Sequence, residues 1–177
     1  MSAPAGSSTS SAPSEVGEPM LPVYLHGAVS GLVGAATIGL WFSYLDFSRG
    51  RLLYTATLLG TLLFRGGGGL APETLQPSLS IATEFALVHT AIFVVIGMAA
   101  ARLLDLFEHR INVLLAIALL FVILGLGFLA FAMTFSAFPW DVLSLPDVLF
   151  GNVLAATTMV VHLWRRRPHH DEEGQPA

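Results

Sequence analysis

The chain reads as an all-α integral membrane protein, a polytopic bundle of four transmembrane helices plus a short interfacial or re-entrant helix. Residues 22–44, 79–104 and 111–135 are apolar over lengths that a soluble core helix seldom needs, and residues 145–164 are only slightly weaker. At 1.5 Å rise per residue, about twenty apolar residues cross the roughly 30 Å hydrocarbon layer as a helix. Composition agrees, because hydrophobic residues make up 54% and charged residues 11% of the 177, against roughly 45–50% and 25% in soluble domains. One transmembrane domain over residues 21–167 is expected.

Residues 1–20 are rich in Ser, Ala, Pro and Gly, with Glu15 and Glu18 as their charged side chains. Such a segment cannot bury enough surface to order itself, so a disordered tail is expected. It lacks the basic start of a signal peptide, and the apolar run that follows is long enough to span, so no cleavage is expected.

The first span carries Gly27, Gly31 and Ala35 at four-residue spacing, beside Ser30 and Gly34. Small side chains on one stripe let another backbone come close. The partner is a neighbouring helix of the same chain or a second copy. Gly97 with Ala101, and Gly151 with Ala155, repeat the spacing on later helices, which favours packing within the chain. Trp41, Trp140, Trp164, Tyr24 and Tyr44 fall near helix ends, as aromatic belts do.

Residues 52–64 form a helix too short to cross, about 20 Å long. Tyr54, Thr57, Thr61 and Arg65 fall on one stripe and Leu52, Ala56, Leu59 and Leu63 on another. That pattern suits a helix lying in the membrane interface. The glycines at 66–69 then act as a flexible connector, and Pro72 and Pro77 keep the next stretch irregular. No phosphate loop is indicated, since no Lys-Ser or Lys-Thr pair follows the glycines.

The second span holds Glu84 and His89. Asp105, Glu108, His109 and Arg110 make a polar turn into the third span, where a helical hairpin needs solvated residues. The fourth span holds Asn152 and His162 and ends at Arg165, Arg166 and Arg167. Residues 168–177 make a second disordered tail, whose His169 and His170 have no third partner to make a metal site.

Arginine placement bears on orientation. Arg102, Arg110 and the cluster at 165–167 mark the cytoplasmic side, which puts the C-terminus inside. With four spans the N-terminus is also inside, and five arginines lie inside against three outside. Were residues 52–64 to cross, the N-terminus would be outside and the count seven to one. Charge favours five spans, whereas length and amphipathicity favour four, and four is the expectation because a thirteen-residue span requires severe bilayer thinning.

The chain has no cysteine, and all eight of its basic side chains are arginine. Thiol chemistry, a lysine Schiff base and a phosphate-loop lysine are therefore excluded. Nothing points to nucleic acid. Ionisable groups inside spans are costly, so Glu84, His89, His26 and the neutral Asn152 are the candidate polar positions. Glu84 and His89 are five residues apart and do not share a helix face cleanly. Glu84 sits near the outer end, within reach of an arginine such as Arg49 or Arg51. His89 lies about 15 Å into its span and needs a partner. With four spans, His26 lies far from it in depth.

No nucleophile elbow, zinc-protease helix or carboxylate pair is present, so no catalytic residue and no metal site are assigned. One membrane carboxylate in a four-span chain resembles the plan of small multidrug exporters. This chain is longer and its Glu is not in the first span, so no residue is carried over.

The expectation is a non-catalytic accessory or structural membrane subunit, with the lipid bilayer, a second copy or a larger membrane complex as its partner. An ion-coupled small transporter using Glu84 and His89 is the alternative. A haem- or quinone-linked redox subunit is the second, although no cofactor is predicted. The Arg-only, Ala- and Gly-rich composition suggests a bacterial inner membrane.

Overall fold

The computed structural model describes residues 21–66, 71–106, 112–135, 138–140 and 142–165. Both tails, the connector at 67–70, the turn with Glu108, His109 and Arg110, and Asp141, Arg166 and Arg167 lie outside the described residues.

Five α-helices follow one another: α1 (Leu21–Ser48), α2 (Tyr54–Arg65), α3 (Leu79–Leu106), α4 (Val113–Thr134) and α5 (Leu145–Arg165), with a 3-10 turn at Pro72–Thr74 before α3. No strand occurs among the described residues. Apart from α2, each helix is long and apolar enough to cross a membrane. The boundaries have local causes. Asn112 opens α4 by accepting the Leu115 amide on its Oδ1 at 2.7 Å, which satisfies one of the amides left unpaired at a helix start. Ser144 accepts the Asp147 amide at 3.3 Å in the same way before α5, and Pro146 sits in the first turn, where its missing N–H is no loss.

Helix α1 is the centre of the bundle, packed on α3 along one face and on α5 along another, while α4 packs on α5 and α2 packs on α3. The small-residue stripe makes the α1–α3 contact. A Cβ placed on Gly27 would lie 2.6 Å from the Met98 Cα, and one placed on Gly97 would lie 2.6 Å from the Gly31 nitrogen. The two backbones therefore touch directly, and the Gly27, Gly31, Gly97, Ala101 stripe is used within the chain. On the other side, Ser30 donates to the Met159 carbonyl at 3.0 Å and Trp41 Nε1 donates to the Asp147 carbonyl at 2.9 Å. Ala35, Ala155 and Ala156 are buried in the core with Met159 and Val160, and Gly151 admits the edge of Trp41.

Burial follows composition. Among the four spanning helices, the most apolar, α4, has 17% of its apolar window buried, whereas the least apolar, α5, has 44%. A helix that is hydrophobic all round can face lipid on most sides, while one carrying Asn152, Thr157 and Thr158 is better placed between neighbours.

These pairings fit four crossings rather than five. As α1 advances from Gly27 to Gly31 its contacts on α3 retreat from Ala101 to Phe93. As it advances from Ser30 to Trp41 its partners on α5 retreat from Met159 to Asp147. Helix α1 is thus antiparallel to both α3 and α5, an arrangement that four crossings produce and five cannot. Helix α2 returns to the end of the bundle from which it left. The structure accordingly predicts that Ser48→Cys and Gln76→Cys, on either side of α2, react with a membrane-impermeant thiol reagent from one face of the membrane, and Leu106→Cys from the other. Labelling of the first two from opposite faces would mean that α2 crosses.

Candidate functional site

The five helices enclose a cavity of about 740 Å³. It forms because α3 and α4 flank the central α1–α5 pair without packing along each other among the described residues. Helix α1 contributes Leu32, Ala36, Gly39 and Ser43, at helical spacing along one face. Across from it α3 supplies Ala82, Ala86, His89 and Phe93, α4 supplies Ile123, Gly127 and Phe131, and α5 supplies Val148 and Asn152. The rim is open, with Leu32 48%, Ile92 53% and Ile123 38% exposed, so the cavity communicates with the surroundings through the gap between helices.

Helix α2 closes one end. Its Ala56, Leu59 and Leu63 line the cavity, so the apolar stripe expected to lie on lipid points into the molecule. The opposite stripe is buried as well: Tyr54 is 2% and Thr57 0% exposed. Its polar groups are satisfied without water. Thr57 and Thr61 donate to the carbonyls of Leu53 and Thr57, both at 2.8 Å, which turns their methyls outward. Thr57 Oγ1 also accepts the Ser78 amide at 2.9 Å, and the Tyr54 hydroxyl donates to the Pro72 carbonyl at 2.7 Å. A threonine stripe on a short helix can serve as an apolar packing face once its hydroxyls bond backward.

Helix α2 is anchored by Asp46, 3% exposed at the end of α1. Its Oδ2 accepts the Thr55 amide and its Oδ1 the Thr55 hydroxyl, both at 2.7 Å. The cap position before α2 is Leu53, which has no acceptor to offer and sits in the left-handed region at φ 67°. The carboxylate of the preceding helix supplies what the cap residue lacks, at a helix start where negative charge is stabilised. The role of Asp46 depends on a turn geometry that periodicity does not reveal.

Of the four candidate polar positions, the structure brings two to the cavity. Asn152 is 6% exposed, and its Nδ2 is buried without a hydrogen-bond partner. His89 is half-buried, held between Phe85 and Phe93 at ring-centroid separations of 5.7 and 4.6 Å. Its Nε2 is likewise buried with no partner. Buried polar atoms are nearly always bonded, so two such atoms on residues that line one cavity single out this place. The other two lie elsewhere. His26 does not line the cavity. Glu84 is exposed and accepts a hydrogen bond from the Ser80 hydroxyl at 3.2 Å. The arginines expected to meet it are engaged elsewhere: Arg49 pairs with Asp147 at 2.9 Å, since the end of α1 packs beside the start of α5, and Arg51 lies 4.0 Å over the Tyr54 ring.

Fold and site together define a multi-pass helical membrane protein with an internal, laterally open apolar cavity. Comparison with protein-family models, curated proteins and solved structures finds no match.

Proposed function

We propose that the protein is a non-catalytic accessory subunit of a bacterial inner membrane that holds a neutral, lipid-soluble guest in its central cavity. The observation that carries this reading is the apolar cavity of about 740 Å³ lined by His89 and Asn152, whose Nε2 and Nδ2 are buried without a hydrogen-bond partner. Small-molecule sites are typically concave spaces of about 300–1,000 Å³, mostly apolar, with a few polar groups that fix orientation. Among the described residues, Asp46 is the one carboxylate in the lining and no arginine lines it, so an anion has no counter-charge there, and a cation would have to share the Asp46 oxygens with the two Thr55 donors that already engage them. The placement of Glu84 outside the cavity gives the ion-coupled reading no geometric support. Antiparallel α1 puts Arg102 and Arg165 at one end of the bundle and Arg49, Arg51 and Arg65 at the other; the first end, beyond which the sequence carries three more arginines at 110, 166 and 167, is proposed as the cytoplasmic one.

The test is what the protein carries out of its membrane. Organic extraction and mass spectrometry of protein purified in mild detergent should yield a neutral compound at about one per chain. Gly127→Leu should lower that amount severalfold. Gly127 lines the cavity, and a Cβ there meets nothing within 4 Å, so the new side chain fills space rather than displacing neighbours. Replacing a helical glycine should also raise stability by about 0.5–1 kcal/mol. Wild type and Gly127→Leu carrying the same bulk lipids in the same proportions would remove the proposal.

A further inference from the structure

The character of the guest can be read from the atoms left without partners. An amide nitrogen can only donate; Asn152 lines the cavity and its Nδ2 is buried without an acceptor, so an oxygen on a guest would satisfy it once the side chain turns toward the cavity. His89 Nε2, buried on α3, supplies a second donor in the tautomer that carries its proton there. Among the other polar groups in the lining, each Asp46 oxygen already accepts from Thr55 and the Thr83 hydroxyl donates to the Leu79 carbonyl at 2.8 Å, while the Ser43 and Thr90 hydroxyls also border the cavity. The wall around this pair is aromatic. Phe85 and Phe93 bracket the His89 ring, and Phe128 and Phe131 line the cavity from α4. Aromatic side chains favour offset-stacked or edge-on contact with another flat ring.

We infer that the cavity binds a neutral planar ring bearing carbonyl oxygens and an aliphatic tail, a molecule of the quinone class. Its carbonyls accept from Asn152 and His89, its ring lies among the phenylalanines, and its tail leaves past the exposed rim at Leu32 and Ile92 into the bilayer. This rests on the cavity being a ligand site, and what is assigned is binding.

The full chain in detergent micelles is titrated with decylubiquinone, reading quenching of its tryptophans. Trp41 packs against Gly151, next to Asn152. Dioleoylglycerol, which has carbonyls and no ring, and decylbenzene, which has a ring and tail and no carbonyl, serve as competitors. Saturable quenching is expected, with each competitor needing about tenfold more to displace the quinone. His89→Phe and Asn152→Leu should each weaken quinone binding about tenfold, the size of one hydrogen bond. Both variants remove an unpaired buried polar atom and should fold at least as well as wild type. Equal competition by dioleoylglycerol, with both variants weakening it alike, would overturn the ring and leave a carbonyl lipid as the guest. Equal competition by decylbenzene with no effect of the variants would overturn the role of the polar pair while leaving an apolar ligand site. Absence of saturable binding, with Gly127→Leu unchanged in what it carries, would overturn both this inference and the function on which it rests.

Discussion

Gly97→Leu should abolish the folded bundle, and Gly97→Ala should lower its stability by about 3 kcal/mol. Ordinary overpacking of a core costs about 1–3 kcal/mol because flexible side chains can move aside. Here the obstacle is main chain: a Cβ on Gly97 would lie 2.6 Å from the Gly31 nitrogen and 2.8 Å from its Cα. Relief requires α1 and α3 to separate along the face where Gly27, Gly31, Gly97 and Ala101 meet. Lipid tails are as apolar as the side chains, so close van der Waals packing is a main source of helix association in a membrane, and separation forfeits it. Gly39→Ala on the same α1 is the control, since an added Cβ there meets nothing within 4 Å. It should be neutral or stabilising by about 0.5–1 kcal/mol. Unfolding of all three proteins in mixed detergent measures the difference. Equal midpoints for Gly97→Ala and Gly39→Ala would show that the glycine seam does not hold the helices together.

The α1–α3 seam was legible as a stripe because the spacing of Gly27, Gly31 and Ala35 is a property of one helix. The repeats at Gly97 and Gly151 favoured a partner within the chain, but which of the two helices takes the stripe was not legible; only the three-dimensional pairing with Gly97 selects the neighbour. The four spans were legible for a comparable reason, as the apolar length that crosses a bilayer is a local quantity. Helix α2 marks where local reasoning stopped. Length and amphipathicity separated it from the spans, but the amphipathic pattern suggested that Thr57 and Thr61 face water. A hydroxyl that bonds to its own helix four residues back no longer needs water, and no periodicity analysis registers that. The cavity was illegible altogether. It is a gap between α3 and α4, and His89 and Asn152, 63 positions apart in sequence, carry no joint signal until the packing of the helices brings both to the lining of one cavity. Both could be named only as isolated polar residues in apolar runs.

Asp46→Ala should cost about 3 kcal/mol and release α2 from the bundle. Two hydrogen bonds of 2.7 Å run from Thr55 to this buried carboxylate. Bonds to a charged group contribute about 1.5–3 kcal/mol each, and the truncation would leave the Thr55 amide buried without a partner. No neighbouring group can substitute, because Leu53 at the cap position has no acceptor side chain. Its left-handed backbone adds strain of roughly 1–2 kcal/mol that the anchor must hold in place. Asp46→Asn keeps one acceptor oxygen and replaces the other by a donor, so it should lose about half as much. Trypsin offers a local readout. Arg51 and Arg65 are exposed at the two ends of α2, and cleavage after them should accelerate in Asp46→Ala before the four spans are affected. Since Ala56, Leu59 and Leu63 form one end of the cavity, the same variant should also weaken retention of the guest although Asp46 has no oxygen free to hold it. An Asp46→Ala protein with the wild-type melting midpoint and the wild-type cleavage pattern would mean that α2 is held by its threonine and tyrosine face alone.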